Sequence, residues 1–263
     1  MSPARHRVRR SDVKRLFGAL WAVGGMLVVL VFAATSSIPI YPFAFLPRGK
    51  RERYTIWGAR YFAWGCLHPV LFIRDQIIGR ENLPQEGGYL VVSNHRSWLD
   101  VALLILHTRS QGVSKKEVAW IPFFGLNGWL SGAIFFDRRS KDGRGRVVSD
   151  TLELLAGGAN VHVFPEGTRT RDGRLSSKAH LRLVQAAAQA DRVVVPCCTW
   201  GTERGVPASG IYAMPFQSMG LQIGEPMRRA PEEAAEAFAE RVWAQVTTMA
   251  RARGADAPFS AEP

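Results

Sequence analysis

The sequence predicts an α/β domain, with a mixed β-sheet flanked by helices, preceded by a hydrophobic helical hairpin or anchor in a membrane. Short apolar runs alternate with helix-forming stretches over residues 76–253, which is the pattern of an α/β sandwich. Ahead of them, no charged residue occurs from Leu16 to Pro47. This stretch is long enough to cross a bilayer, because a helix of about 20 residues suffices. We therefore expect a basic, membrane-embedded segment over residues 1–75, a globular domain over 76–253 and a disordered tail over 254–263.

The N-terminal segment contains two apolar stretches. The first 15 residues hold six Lys and Arg against Asp12 alone, and a 19-residue apolar run follows directly. The second stretch spans residues 54–73, where Trp57, Tyr61 and Trp64 are of the kind found at a lipid–water interface. A helix buried in a soluble core and a cleaved signal peptide are the alternatives to a membrane segment.

Basic residues on both sides of the first apolar run bear on its orientation. Six precede the run, and five follow it: Arg48, Lys50, Arg51, Arg53 and Arg60. Because cytoplasmic flanks carry the excess of Lys and Arg, a simple crossing would leave one cluster on the disfavoured side. We therefore favour a helical hairpin embedded in one leaflet, with both clusters on the cytoplasmic side. A single span is the alternative.

The charge of the chain indicates acidic partners. Its 34 Lys and Arg exceed its 22 Asp and Glu, which gives a net charge of +12 and suits nucleic acid, anionic lipid or phosphorylated substrates. The concentration of basic residues beside the apolar run favours anionic membrane lipid, and we find no nucleic-acid-binding motif. Three cysteines without a C-x-x-C spacing predict neither a disulfide framework nor a metal site.

The globular domain divides into short strands and helices. Several of the strands are continuous apolar runs, as expected when helices cover both faces of a sheet. The predicted strands are residues 89–94, 133–137, 160–164, 192–199 and 220–224, and the predicted helices are 98–106, 149–158 with Ser149 as N-cap, 177–190 and 230–253.

A histidine directly follows the first of these strands, in the sequence SNHRSWLD over residues 93–100. Ser97 is a suitable N-cap for the next helix, and Asp100 lies one turn into it. Asp100 can therefore reach Nδ1 of His95, fix its tautomer and leave Nε2 to accept a proton. This pair suits activation of a substrate hydroxyl. An ordinary surface histidine beside a helix-start acid is the alternative.

A second loop, FPEGTRT over residues 164–170, follows another predicted strand. Its Glu166 and Arg169 fit a polyol phosphate, because a guanidinium pairs with phosphate and a carboxylate accepts from a hydroxyl. A turn with a local Glu–Arg ion pair is the alternative.

A third stretch, residues 113–139, combines basic and aromatic residues. Lys115, Lys116 and Arg138 suit a phosphate, and the aromatic residues between them suit either an acyl groove or core packing.

In these blocks the sequence resembles the glycerolipid acyltransferases typified by 1-acyl-glycerol-3-phosphate acyltransferase. The resemblance covers roughly residues 75–225, with four blocks in the family's order. NHRSWLD is similar to the family's N-H-x4-D motif, KKEVAWIPFFG with FFDR to the second block, FPEGTRT to the third and VVVPC to the fourth.

The resemblance implies a glycerolipid acyltransferase-like fold and a direct acyl transfer to a lysophospholipid hydroxyl. His95 would be the base and Asp100 its orienting partner, and backbone N–H groups after His95 would stabilise the oxyanion. The substrate-binding residues would be Lys115, Arg138, Glu166, Gly167, Thr168 and Arg169. The acyl donor would be acyl-CoA or acyl carrier protein, with no metal or other cofactor. The protein would sit in the cytoplasmic membrane with its catalytic domain on the cytoplasmic side.

The expected acceptor is 1-acyl-sn-glycerol-3-phosphate, which would give phosphatidic acid. One departure bears on it: many family members carry Phe-Lys-x-Gly after the third block, whereas this chain has Ser177-Lys178-Ala179-His180. Another lyso-lipid, including one with an amino-acid head group, is therefore the alternative acceptor. A non-catalytic membrane-binding protein is the alternative from another class.

Overall fold

The architecture is that of a computed structural model, and it confirms the predicted mixed sheet with flanking helices. The structure describes residues 10–48, 50–120, 124–136, 141–170, 174–176, 178–208 and 213–255.

The strands and helices alternate through most of the domain. The strands are β1 (Arg74–Ile78), β2 (Leu90–Ser93), β3 (Ser110–Lys115), β4 (Ile134–Phe136), β5 (Asn160–Val163), β6 (Val194–Trp200) and β7 (Ser218–Ile223). The helices are α1 (Arg10–Ser37), α2 (Lys50–Gly65), α3 (Trp98–Thr108), α4 (Phe124–Leu130), α5 (Lys141–Ala156), α6 (Arg182–Gln189), α7 (Thr202–Gly205) and α8 (Ala235–Ala252).

The seven strands form one sheet in the order β1-β7-β6-β2-β5-β3-β4. Five neighbouring strands, from β6 to β4, are parallel, and β7 and β1 run in the opposite direction. β2 is therefore the central strand, and its carboxyl end lies beside those of β5 and β6 at one edge of the sheet.

Helices cover both faces of the sheet. On one face α5, α6 and α8 pack over the main core, to which α8 contributes Phe238, Val242 and Val246 at helical spacing. On the other face α3 packs with the N-terminal helices around Leu99 and Leu103. The continuous apolar strands β2 and β6 are buried between these layers, as the sequence predicts.

The five predicted strands are present, and β1 and β3 are two that the sequence analysis missed. Three helix starts are also corrected. α6 begins at Arg182 and not at residue 177, since residues 178–181 are not helical. α5 begins at Lys141, so Ser149 lies inside the helix, where its hydroxyl donates to the carbonyl of Arg146 instead of capping the helix. α8 begins at Ala235 because the residues from 230 onwards form a turn.

The N-terminal helices form a hairpin. Phe32 of α1 contacts Tyr61 and Trp64 of α2, with ring centroids 5.2 and 6.0 Å apart. Nearer the start of α1, Trp21 donates from Nε1 to the carbonyl of Val70 at 2.9 Å. Phe32, late in α1, thus contacts α2, whereas Trp21, earlier in α1, contacts Val70 beyond the end of α2. Because the order of these contacts is reversed along the chain, α1 and α2 run antiparallel.

One described helical segment, Leu16–Phe45, is long and apolar enough to cross a membrane, judged by length and composition. The outward face of this segment is exposed: Val23 is 75% exposed and Leu27 is 70% exposed. A soluble monomer rarely leaves a contiguous apolar surface of this size without a partner.

The hairpin lies against the globular domain along most of α1. Near the start of α1 the carbonyl of Gly18 accepts from the backbone N–H of Ala213, at 3.3 Å. Near its end Ser36 accepts from Nδ2 of Asn127, at 2.6 Å. These two contacts are 18 residues apart, which is about 27 Å of helix. The domain therefore lies beside α1 and not beyond one of its ends.

Candidate active site

His95 and Asp100 are brought together by the turn between β2 and α3. Ser97 has extended backbone angles and caps α3, accepting from the N–H of Leu99 at 3.2 Å. The carboxylate of Asp100 accepts in turn from the N–H of Ser97 at 2.7 Å, which completes a capping box. In this geometry Nδ1 of His95 lies 3.0 Å from Oδ2 of Asp100.

Asp100 is fully buried, and its carboxylate accepts four hydrogen bonds. Oδ2 receives His95 Nδ1 and the backbone N–H groups of Arg96 and Ser97, while Oδ1 receives the hydroxyl of Thr202 at 2.6 Å. Burial by itself raises the pKa of Asp100, but the bonds from His95, Thr202 and the backbone outweigh it and hold the pKa below its ordinary value. Asp100 therefore stays ionised.

The ionised carboxylate fixes the tautomer of His95. Since Asp100 only accepts hydrogen bonds, Nδ1 of His95 carries the proton and Nε2 presents a lone pair. The His95 side chain is 14% exposed, and its ring stacks on Phe164 with centroids 4.0 Å apart and planes 13° apart. The imidazole is thus held on one edge and one face, with Nε2 as the remaining reactive atom.

The backbone around His95 is tied to both neighbouring strands. Asn94 exchanges two hydrogen bonds with the backbone of Thr199 in β6, at 2.9 and 3.0 Å. Thr170, beyond β5, donates its N–H to the carbonyl of His95 at 3.0 Å. The turn that carries His95 is therefore fixed by three strands and not by its own sequence alone.

Glu166 lies between the loop after β5 and the histidine turn. Its side chain is buried, with Oε1 accepting from the N–H of His95 at 2.7 Å and Oε2 from the N–H of Ser176 at 3.0 Å. Burial raises the pKa of Glu166 above its ordinary value, against the opposing effect of these two hydrogen bonds. In this structure both oxygens bind backbone, so Glu166 joins the second loop to the first.

Arg169 lies beside the dyad, with its guanidinium carbon 4.7 Å from the ring centroid of Trp98. Trp98 is 45% exposed at the first position of α3, so its ring is a surface on which the guanidinium rests. Burial lowers the pKa of Arg169, while the Asp100 carboxylate acts in the opposite direction. A guanidinium stacked in this way keeps its N–H edge available for an anion.

The structure describes some of the remaining predicted substrate-binding residues and not others. Gly167 adopts a positive φ of 67°, which shapes the loop, and Thr168 is exposed next to it. Lys115 ends β3, but its side chain lies outside what the structure describes, and Arg138 lies wholly outside the described residues.

The backbone N–H groups of His95 and of three residues after it are already engaged. His95 donates to Glu166, Arg96 and Ser97 donate to Asp100, and Leu99 donates to Ser97. The expectation that amides after His95 stabilise an oxyanion is therefore wrong for Arg96, Ser97 and Leu99, because each is satisfied inside the protein.

Three contacts of the site were missed in the sequence analysis. Thr202 follows β6 and lies 102 positions beyond its partner Asp100, and no local pattern relates the two. Phe164 and Trp98 stand inside the recognised motifs, so the positions of those motifs are a signal from which their contacts with His95 and Arg169 could have been inferred.

Within the described ranges, no three His, Cys, Asp or Glu side chains are grouped closely enough to hold a metal ion.

Comparison with known proteins agrees with this fold. Residues 74–200 match the family model described as Acyltransferase. A chloroplast 1-acyl-sn-glycerol-3-phosphate acyltransferase of Arabidopsis thaliana is 34% identical over 189 residues, covering 71% of this chain and 52% of that protein. The human 1-acyl-sn-glycerol-3-phosphate acyltransferase alpha is 38% identical over 106 residues, covering 39% and 38%. A lyso-ornithine lipid O-acyltransferase of Rhizobium meliloti (strain 1021) is 32% identical over 200 residues, covering 74% and 64%.

Among solved structures, the 1-acyl-sn-glycerophosphate acyltransferase PlsC from Thermotoga maritima has a similar fold. The TM-score is 0.75 at 22% identity, and the match covers 92% of this chain and 96% of that one.

A mixed seven-stranded sheet with a His–Asp pair beyond its central strand defines an α/β protein of the acyltransferase fold. Residues 74–200 of the chain belong to the acyltransferase family, and the relatives matched include 1-acyl-sn-glycerol-3-phosphate acyltransferases. The chain spans about half the length of the chloroplast relative and less of the human one.

Proposed function

We propose that this protein transfers a fatty acyl chain from a thioester donor to the free hydroxyl of a lysophospholipid. The observation that carries the proposal is the His95–Asp100 pair, 3.0 Å apart, with Asp100 held ionised and Nε2 of His95 left as a proton acceptor. The names of the relatives support the same reaction class.

The reaction needs one base and no protein nucleophile. His95 Nε2 takes the proton of the acceptor hydroxyl as its oxygen attacks the thioester carbonyl and forms a tetrahedral intermediate. Collapse of the intermediate breaks the C–S bond, and the departing thiolate takes the proton back from the imidazolium. Asp100 remains ionised throughout and stabilises the imidazolium through Nδ1. The products are an ester and a free thiol, and the base is regenerated.

We assign acceptor binding to the loop after β5. Arg169, resting on Trp98 beside the dyad, is suited to pair with the phosphate of 1-acyl-sn-glycerol-3-phosphate. Lys115 and Arg138 are proposed to add positive charge from the next strands, as the family resemblance implies. Glu166 serves the site through its two backbone contacts, which hold the turn of His95, with Gly167 and Thr168 shaping the loop.

The membrane arrangement that the structure supports best is a hairpin in one leaflet. The domain lies beside α1 at both Gly18 and Ser36, which suits a helix lying along the interface better than one crossing away from the domain. Tyr54, Trp57 and Trp64 are exposed on α2 at helical spacing, which suits the interface. We propose that the catalytic domain sits on the cytoplasmic side of the cytoplasmic membrane.

A second acceptor class is favoured by one observation. The lyso-ornithine lipid O-acyltransferase of Rhizobium meliloti is matched over 74% of this chain. An amino-acid-headed lyso-lipid, whose acceptor group is also a hydroxyl, would use the same dyad.

An acceptor panel tests the proposal and separates the two acceptors. The purified full chain in vesicles is given labelled acyl-CoA or acyl carrier protein, with either 1-acyl-sn-glycerol-3-phosphate or a lyso-ornithine lipid, and His95→Ala serves as the blank. We expect 1-acyl-sn-glycerol-3-phosphate to be converted to phosphatidic acid. Consumption of the lyso-ornithine lipid alone would overturn the acceptor assignment, and no acylation of any acceptor would overturn the function.

A further inference from the structure

A basic groove lies beside the dyad, on the opposite side from the acceptor loop. It has a volume of about 300 Å³ and is bordered by Arg74 at the start of β1, Arg204 in α7, Ser218 at the start of β7 and Trp200 at the end of β6. We call these four residues the β1–β7 groove.

Both positive charges that line the β1–β7 groove are uncommitted. Arg74 and Arg204 are exposed, and within the described part of the chain neither guanidinium forms an ion pair or a side-chain hydrogen bond. The groove also borders Asp75, but that carboxylate is already bound by His107 at 2.6 Å, and this hydrogen bond is the main cause that lowers its pKa. The groove is therefore suited to an anion from outside the chain.

The strand order puts this groove and the acceptor residues on opposite sides of His95. His95 follows β2, the central strand, while Glu166 and Arg169 follow β5 on one side. β6, β7 and β1 lie on the other side. Because β7 and β1 run opposite to β6, the starts of β7 and β1 share an edge with the carboxyl ends of β6 and β2. The groove thus opens at the same edge of the sheet as the catalytic histidine.

The distance along this edge fits a particular ligand. From β2 to β1 there are three strand steps, which is about 14 Å at the usual spacing. The strand register sets Arg74 about three residues, or about 10 Å, further along the strand direction than His95, so their backbones are roughly 17 Å apart. The pantetheine arm that joins a thioester sulfur to its phosphate has the chain length of roughly four extended residues, on the order of 15 Å. A thioester carbonyl at Nε2 of His95 would therefore bring that phosphate within reach of the extended side chains of Arg74 and Arg204.

We propose that the β1–β7 groove binds the phosphate of the donor's phosphopantetheine arm, through Arg74 and Arg204. This deepens the proposed acyl transfer and rests on it. The phosphate is common to acyl-CoA and acyl carrier protein, and both donors present it at the same distance from the reacting carbonyl. The donor then approaches His95 from the side of β6 and the acceptor from the side of β5.

The test compares donors with and without that phosphate. An Arg74→Gln/Arg204→Gln variant of the full chain is assayed in vesicles with acyl-phosphopantetheine and with acyl-pantetheine. The matched control is Arg109→Gln/Arg228→Gln, which removes two charges at the opposite edge of the sheet. We expect the groove variant to raise the KM for acyl-phosphopantetheine at least about tenfold, since two charge-assisted contacts are lost. The KM for acyl-pantetheine should stay within about twofold of wild type, and the control should change neither.

Parallel assays with acyl-CoA and acyl carrier protein identify the natural source, which is the donor whose KM rises most in the groove variant. An equal change in KM for the phosphorylated and unphosphorylated donors would overturn the donor-phosphate site, as would an equal effect of the control variant. If wild type still transfers the acyl chain when either of these results is found, only the donor-phosphate site is overturned and the proposed function is retained. Absence of transfer with every donor would contradict the proposed function itself.

Discussion

The hydroxyl of Thr202 donates a 2.6 Å hydrogen bond to Oδ1 of Asp100, and both side chains are fully buried. Oδ1 is the oxygen that His95 does not use, so Thr202 holds the carboxylate from the side opposite the imidazole. The start of α7 thereby fixes a residue in the first turn of α3. The dyad depends on β6 and the turn after it as well as on its own motif.

We predict that Thr202→Val lowers kcat about tenfold and leaves the KM of both substrates within about twofold. The change leaves Oδ1 of Asp100 buried without a donor, a loss on the order of 1.5 kcal/mol in the orientation of the dyad. Steady-state kinetics measure it. Thr202→Ser keeps the hydroxyl and should recover most of the rate; equal losses in Val and Ser variants would refute the hydrogen-bond explanation.

The stacking of Arg169 on Trp98 predicts a specific effect on acceptor binding. Trp98→Leu removes the aromatic face that holds the guanidinium, a contact on the order of 1 kcal/mol. The KM for a phosphate-bearing acceptor should therefore rise by about fivefold while kcat is retained. Trp98→Phe retains an aromatic face and serves as the control. An unchanged KM in the Leu variant would show that the stack does not position Arg169.

The cysteines of β6 are expected to be unreactive. Cys197 and Cys198 are fully buried, and burial raises the pKa of both thiols, that of Cys198 to about 12. In a Cys66→Ser background, a maleimide should label no thiol in the folded protein and should not inhibit acyl transfer, whereas unfolding exposes two thiols. Inhibition that follows labelling of the folded protein would point to an acyl-cysteine route.

The ionised state of Asp100 predicts how stability depends on pH. Because its pKa is lower in the folded protein than in the unfolded chain, its stabilisation is complete above the ordinary carboxylate value. The stabilisation is lost as the pH falls below about 4, towards the folded-state pKa. The apparent Tm of Asp100→Asn should lie below wild type by at least about 3 °C near pH 7, with the gap closing in acid. A gap that widens in acid would contradict the sign of this pKa shift.

The parts of the fold predicted best from sequence are those with local causes. Ser97 and Asp100 stand at capping-box positions, so the start of α3 and the contact with His95 followed from spacing alone. β2 and β6 are continuous apolar runs because helices cover both faces of the sheet. In each case the physical reason lies within about ten residues.

The missed elements have causes that are distant in sequence. β3 reads SQGVSK, with Val113 as its one aliphatic side chain, and it forms because it pairs with β4 and β5 on either side. Its Ser110 hydroxyl binds Nδ1 of His162, and a side chain at Gly112 would collide with that ring. Neither fact is visible before β5 is placed next to it.

The site, like the fold, was predictable from sequence where the cause of a feature is local. His95, Glu166 and Arg169 were found through motifs, but the role that the geometry gives Glu166 was not. Its carboxylate binds two backbone N–H groups because the β5 loop passes directly beside the turn of His95. Sequence spacing carries no information on that distance.

In the proposed reaction, His95 is the base for acyl transfer to a lysophospholipid hydroxyl. The most direct measurement is kcat for phosphatidic acid formation by the purified full chain and by its His95→Ala variant, with His180→Ala as a control on another histidine near the loop. The dyad predicts a fall of at least about a hundredfold for His95→Ala and a change of less than about threefold for His180→Ala. Full activity in a folded His95→Ala protein would contradict the mechanism.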